Sequence, residues 1–172
     1  MLTVFLLVAC GSSSSERDGS TGGKTAGPPT PTGAPLASAK GKPCVAVASP
    51  LPPGAPEVPV KVGPPPTSLI VEDLTPGTGT EVAATSTVTV DYIGVACSTG
   101  KIFDASYASG QPATFPLSGV IPGWSQGLVG MKIGGVRLLG IPGELAYGAN
   151  GYPPDISPDE PLWFVVALKS VT

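Results

Sequence analysis

Three aromatic residues lie in short segments rich in glycine, proline and small apolar residues. Trp124 follows Val-Ile-Pro-Gly, Tyr147 lies between Leu-Ala and Gly, and Phe164 follows Leu-Trp. The chain contains no histidine, so the commonest general base and the commonest metal ligand are both missing. These residues suit a site that holds an apolar group away from water, and they suit proton transfer poorly.

Composition and charge limit the classes of function. The chain has 172 residues with 24 Gly and 22 Pro, which allows one domain with an appendage. Thirteen of the prolines lie between residues 28 and 66. Residues 67–172 hold nine acidic and four basic side chains, a net charge of −5, against −3 for the whole chain. Because neither residues 1–66 nor residues 67–172 carry a basic stripe, we expect no nucleic-acid partner.

The first ten residues are typical of an exported protein. An apolar run ends in Leu-Val-Ala before Cys10, and a glycine and a serine run follow it. This pattern resembles the lipobox of bacterial lipoproteins, which implies a signal peptide over residues 1–10, a lipid on Cys10 and an extracytoplasmic location on the bacterial cell membrane. No Lys or Arg precedes the run, so we expect the start codon to lie upstream. The alternative is a short apolar N-terminus with an incidental cysteine.

Two further segments precede the domain. Residues 11–42 are rich in Ser, Thr, Gly and Pro and have little to bury, so we expect a disordered tether. Residues 43–66 contain two strand-like runs interrupted by prolines, which favours an extended Pro-rich arm that wraps the domain. Residues 67–172 are expected to form the domain itself.

The domain is predicted to be α+β. Pro122 can open the only predicted helix, residues 122–129, because a missing N–H costs nothing at the first position, and Gly130 can end it. Apolar runs and alternation of period two predict strands that include residues 69–74, 87–97, 101–104, 113–115, 136–141 and 162–171. The expected architecture is an antiparallel twisted sheet wrapping one short helix.

Five motifs of this domain resemble those of the FKBP-type peptidyl-prolyl isomerases. In chain order they are Val-Asp-Tyr-Ile-Gly from Val90, Ile-Phe-Asp-Ala-Ser from Ile102, Val-Ile-Pro-Gly-Trp from Val120, Ala-Tyr-Gly-Ala-Asn-Gly from Ala146 and Leu-Trp-Phe from Leu162. Their order and spacing across residues 67–172 are more specific than any single motif. The resemblance implies an FKBP-like fold and an enzyme that accelerates X-Pro bond rotation without a cofactor or a metal ion.

The resemblance also assigns residues to a catalytic pocket. Trp124 would form its floor, while the Ile121 backbone N–H and the Tyr147 hydroxyl would bind carbonyl oxygens of the substrate. Asp104 would be the acidic residue at its edge. The walls would further include Tyr92, Phe103, Val120 and Phe164. The substrate rim would include Ala113, Tyr152 and Ile156.

Two positions depart from the family pattern, and three of the predicted pocket residues could serve the fold alone. Ser109 stands where the family often has Arg, and Ala113 stands where it often has an aromatic residue. Trp124 could also be ordinary core, as could Phe164. Asp104 could serve only to bind turn amides or a neighbouring tyrosine.

The implied partners follow from the same resemblance. Proline-containing unfolded or exported polypeptides would be substrates, macrolides of the tacrolimus or rapamycin type would be inhibitors, and the protein would be a monomer. One alternative is a module that binds proline motifs with incidental turnover. Another is a chaperone, although the short loop over residues 149–161 leaves no room for the inserted apolar flap that this function uses in the family.

The two cysteines besides Cys10 are Cys44 and Cys97, which can be a disulfide or free thiols. In an exported protein two cysteines suggest a disulfide. Such a bond would tie the arm to the domain, and the alternative is two free thiols.

Overall fold

Antiparallel strands dominate the part of the chain that the structure, a computed structural model, describes, which is residues 36–172. The predictions on residues 1–35, including the lipid on Cys10 and most of the tether, lie outside the described residues. The strands of the single sheet are β1 (Ile70–Thr75), β2 (Thr87–Ala96), β3 (Ile102–Ala105), β4 (Ala113–Pro116), β5 (Val136–Ile141) and β6 (Leu162–Val171). The α-helix of this region is α1 (Pro122–Gly127). The predicted α+β fold is confirmed.

The strand order brings distant parts of the chain together. Neighbouring strands follow the order β1-β5-β6-β2-β3, and β4 pairs with the first half of β2. The two ten-residue strands, β2 and β6, lie side by side, with Tyr92 opposite Val166 and Gly94 opposite Phe164. This pairing puts side chains from both ends of the domain on one surface.

Helix α1 begins and packs as its residues require. Pro122 occupies the first turn, where its missing N–H costs no hydrogen bond. Gly123 and Trp124 are buried, and a Cβ at Gly123 would collide with the Ile141 side chain. The glycine therefore lets the helix lie close against β5. In this position the Trp124 ring contacts the Phe164 ring of β6.

Both faces of the sheet are buried. Successive side chains of a strand point to opposite faces, and each face packs in a core of its own. In β6, Phe164 and Val166 pack with Trp124 in a first core. Trp163 and Val165 pack in a second core. One strand thus supplies both cores, and the first core includes most of the aromatic residues of the predicted pocket.

The arm lies against the second core through residues between Cys44 and Val60. Cys44 and Val58 are buried within it, at 1% and 6% exposed. A disulfide joins Cys44 to Cys97, as predicted. The Val45 N–H donates to the Cys97 carbonyl at 2.9 Å. The arm is therefore bound to the sheet by a covalent bond, by backbone hydrogen bonds and by apolar burial.

The last residues of the predicted tether also contact the domain. Ala39 is fully buried, and its N–H donates to the Pro158 carbonyl at 2.8 Å. The Ser38 hydroxyl donates to Asp159 Oδ2 at 3.0 Å. Among residues 36–172, no helix has the length and apolar character needed to cross a membrane.

Candidate active site

Trp124 forms the floor of a box of aromatic rings. Its side chain is 4% exposed and meets three rings edge to face, with centroid distances of 5.3 Å to Phe164, 5.4 Å to Tyr92 and 5.7 Å to Phe115. Such edge-to-face geometry is the favoured packing of aromatic pairs. Its indole N–H has no acceptor among the described residues, and an unpaired buried donor is uncommon outside functional regions.

Above this floor lies a cavity of about 240 Å³. Its lining combines aromatic rings, aliphatic side chains and one carboxylate. The residues are Tyr92, Phe103, Asp104, Phe115, Gly119, Val120, Ile121, Trp124, Tyr147 and Phe164.

The wall formed by Phe103 and Phe164 depends on a glycine in β2. The rings of Phe103 and Phe164 meet at 5.5 Å and 89°. A Cβ at Gly94 would lie 2.6 Å from Phe164 and 2.7 Å from Phe103, closer than real contacts allow. Glycine at this position therefore lets the two rings close one side of the cavity.

Asp104 is held by a tyrosine of the neighbouring strand. The Tyr92 hydroxyl donates to Asp104 Oδ2 at 2.6 Å, a short distance typical of a bond to a carboxylate. Burial raises the pKa of Tyr92 well above its usual range, and the Asp104 carboxylate raises it further. Tyr92 therefore stays neutral, and it orients the Asp104 carboxylate at the edge of the cavity.

Tyr147 follows a 3-10 turn, Gly143–Leu145, and stands at the mouth of the cavity. Its side chain is 36% exposed, and its ring lies 5.5 Å from that of Tyr152. Burial raises the pKa of the Tyr147 hydroxyl, with smaller contributions from Asp104 and Tyr152. The hydroxyl is thus a neutral hydrogen-bond donor at physiological pH.

Ile121 offers a second donor at the start of α1. Its carbonyl accepts from the N–H of Trp124 at 2.9 Å and of Ser125 at 3.2 Å. Its own N–H has no partner among the hydrogen bonds of residues 36–172. The first N–H groups of a helix lack partners inside the helix, so this group can bind a ligand oxygen.

The eight residues predicted for the catalytic pocket all line this cavity. The three rim residues are placed differently. Ala113 packs against the first core without lining the cavity, and Ile156 is 1% exposed within that core. Tyr152 is 62% exposed, and its ring contacts that of Tyr147 at a tilt of 40°. Ser109 donates to the Ser106 carbonyl at 2.8 Å, so its hydroxyl serves its own turn.

Two cavity residues, Phe115 and Gly119, were not predicted. Phe115 lies on the same face of β4 as Ala113, opposite Val88 of β2. Alternation of period two along Ala-Thr-Phe could have shown that Phe115 faces the core with Ala113. No sequence signal points to Gly119, which lines the cavity through the turn before Val120.

The arrangement suits binding and orientation more than proton transfer. Within residues 36–172, no three His, Cys, Asp or Glu side chains are grouped closely enough to hold a metal ion. The cavity offers apolar rings for a small aliphatic ring, two neutral donors for carbonyl oxygens and one carboxylate already bound by a tyrosine.

Comparison with known proteins agrees with this geometry. The chain is 43% identical over 115 residues to a probable FK506-binding protein of Corynebacterium glutamicum, a match that covers 67% of this chain and 97% of that protein. It is 48% identical over 119 residues to an FK506-binding protein of Streptomyces anulatus, covering 67% and 96%.

Solved structures share the fold. FkpA from Escherichia coli superposes with a TM-score of 0.58 at 44% identity, covering 62% of this chain and 49% of that chain. A peptidyl-prolyl cis-trans isomerase from Pseudomonas syringae superposes with a TM-score of 0.56 at 41% identity, covering 60% and 75%. The family model described as FKBP-type peptidyl-prolyl cis-trans isomerase matches residues 79–169. The chain therefore belongs to the FKBP-type peptidyl-prolyl cis-trans isomerases.

Proposed function

We propose that the cavity above Trp124 is where this isomerase accelerates rotation about X-Pro bonds, and that its substrates are exported polypeptides. The observation that carries the assignment is the combination in one cavity of a buried aromatic floor with two neutral hydrogen-bond donors. A proline ring is apolar and compact, and the carbonyl groups beside it need donors. The cavity meets both requirements.

The chemistry needs no base. Rotation of an X-Pro bond breaks amide resonance, with a barrier of about 18–20 kcal/mol, and takes tens to hundreds of seconds without a catalyst. The planar amide is more dipolar than the twisted one, because resonance places charge on its nitrogen and oxygen. An apolar cavity that excludes water therefore favours the twisted transition state over the planar ground state.

The named residues divide this work. Trp124 supports the proline ring from below, and Phe103 and Phe164 close one side. The Tyr147 hydroxyl and the Ile121 N–H bind carbonyl oxygens and hold the chain in a folded conformation. A rate gain of about 10⁶ corresponds to about 8 kcal/mol, which burial of the ring and the two hydrogen bonds can together supply.

The Tyr147→Phe variant tests this assignment against a matched control, Tyr107→Phe. Tyr107 lies outside the cavity lining. Loss of one hydrogen bond of about 0.5–1.5 kcal/mol lowers kcat/KM for a proline tetrapeptide by about twofold to twelvefold. The control keeps wild-type activity. Equal activity in wild type and both variants, in a protease-coupled assay, would show that Tyr147 does not bind the transition state.

We also propose that the protein is exported and that Cys10 carries a lipid. The sequence Leu-Val-Ala-Cys supports it, and so does the disulfide between Cys44 and Cys97, because disulfides persist in oxidising compartments. Mass spectrometry of protein purified from membranes should find a lipid on Cys10 at the mature N-terminus. A Cys10→Ala variant should lose membrane association, and its retention would refute lipid anchoring.

A binding module is the second candidate function, and the rim favours it. Ser109 and Ala113 replace residues that the family often uses beside the cavity. Members of the family bind macrolides such as FK506, and we propose that this cavity takes such a macrolide as well. Tight binding of a proline-containing partner that survives Trp124→Leu, while isomerisation is lost, would favour the binding role.

A further inference from the structure

We propose that, at a residue next to proline, this site prefers a positively charged side chain, Lys or Arg, to a negatively charged one. The preference rests on the proposed isomerase site and concerns its rim. Two groups carry it: the Asp104 carboxylate, and a pair of exposed rings, Tyr147 and Tyr152, which we call the tyrosine platform.

Asp104 is an anionic group of the cavity with no cationic partner among the described residues. Its hydrogen-bond partner is the neutral Tyr92 hydroxyl at 2.6 Å. The salt bridges of residues 36–172 involve four other carboxylates. The turn after β3 offers no basic side chain, because Ser109 occupies it and bonds to the Ser106 carbonyl. The charge of Asp104 is therefore available to a substrate cation.

The tyrosine platform adds two electron-rich faces beside this charge. Tyr147 is 36% exposed and Tyr152 is 62% exposed, with ring centroids 5.5 Å apart and planes tilted by 40°. Asp104 and Tyr147 line the same cavity. Burial raises the pKa of the Tyr147 hydroxyl, and the charge of Asp104 raises it further. A cation over a tyrosine face is attracted to the ring. A Lys or Arg side chain leaving the cavity would thus meet a carboxylate and aromatic faces together.

The surrounding charge acts in the same direction. Residues 36–172 carry ten acids and seven bases. Four of these bases, Lys61, Lys101, Arg137 and Lys169, already form salt bridges with carboxylates. The resulting negative potential attracts cationic peptides and repels acidic ones, more strongly at low salt.

The test uses two sets of three peptides. In one set the residue before proline is Lys, norleucine or Glu, and in the other set the residue after proline is varied in the same way. Norleucine matches the Lys stem without its charge. Catalysed exchange between cis and trans forms is measured by NMR, which avoids the sequence preference of a coupling protease. We expect kcat/KM for the Lys peptide to exceed that for the Glu peptide by about fivefold to tenfold at low salt, from one exposed ion pair and one cation–ring contact. The ratio falls toward one as salt rises.

Variants assign the preference to the rim. Asp104→Asn should remove most of the Lys-to-Glu ratio, and Tyr152→Leu should reduce it by about half, while kcat/KM for the norleucine peptide reports the activity of each variant on a substrate without that charge. Glu81→Gln, which removes one exposed charge away from the cavity, should keep the wild-type ratio. A wild-type ratio below threefold at both positions beside proline would overturn the inference while leaving the isomerase assignment intact. A ratio that persists in Asp104→Asn would also overturn it. No turnover of any peptide would instead refute the proposed function, and the inference with it.

Discussion

Trp163 and Phe164 are neighbours in β6, yet their side chains pack in opposite cores. Phe164 lines the cavity and meets Trp124 at 5.3 Å. Trp163 is 1% exposed, and its indole N–H points to the sulfur of Cys44 at 3.3 Å. The two faces of β6 thus contact different sites, the cavity on one side and the N-terminal arm on the other. Changes in the second core should therefore alter stability more than catalysis.

Removal of the disulfide should lower stability with little effect on the cavity. The bond joins residues separated by 53 positions, and closing a loop of that length stabilises the folded chain by about 4 kcal/mol in the chain-entropy model. The variant Cys44→Ala/Cys97→Ala should lose about that much free energy of unfolding in urea. Its kcat/KM, measured where the protein is folded, should stay within about twofold of wild type. An unchanged urea midpoint would contradict this role of the arm.

The ion pair between Asp73 and Arg137 should make stability depend on pH in the acid range. Arg137 is buried and donates to Asp73 Oδ1 at 2.6 Å and to the Gly127 carbonyl at 2.8 Å. The hydrogen bond from Arg137 lowers the pKa of Asp73 below 3.8, and the charge of Arg137 acts in the same direction. A lowered pKa stabilises the fold above the unfolded value, and that stability is lost as pH falls through the folded value.

The variant Asp73→Asn should therefore be less stable than wild type at pH 7, by about 1 kcal/mol because half of the Asp73 side chain is exposed. The difference should shrink as the pH falls below the ordinary Asp pKa of about 3.9 and on through the lowered pKa of Asp73, because the wild-type carboxyl group then becomes protonated. Glu72→Gln is the matched control, since its salt bridge to Lys61 is exposed on both sides, and its stability should change little. This account would be contradicted if the free energies of unfolding of Asp73→Asn and wild type differed by the same amount at pH 7 and at a pH well below the ordinary Asp pKa.

Catalysis should be independent of pH across the physiological range. The chain has no histidine, and burial together with Asp104 and Tyr152 raises the pKa of Tyr147 above its usual value of about 10. The hydroxyl therefore keeps its proton and can donate throughout that range. We expect kcat/KM to be flat between about pH 6.5 and 9.5 and to fall only at higher pH. An inflection between pH 6.5 and 9.5 would point to a titrating group that this mechanism lacks.

Local patterns predicted the strands well, because alternation records which face of each strand is buried. Pro122 likewise marked the first turn of α1. Non-local packing decided what the sequence could not show. Ile156 lies in a loop without periodicity, yet it is buried in the core. Ala39 came from a segment with the composition of a tether, but its partner Pro158 is distant in sequence.

The most direct test uses the two tryptophans of the chain, which lie in opposite cores. Trp124→Leu removes the floor of the cavity, and Trp163→Phe changes the second core alone. Exchange NMR on a proline tetrapeptide, with folding checked by near-UV circular dichroism, gives kcat/KM for both variants. We expect Trp124→Leu to lose at least about tenfold, or about 1.4 kcal/mol of transition-state stabilisation, while Trp163→Phe stays within about twofold of wild type. A folded Trp124→Leu variant with wild-type kcat/KM would contradict the proposal that this cavity is the active site.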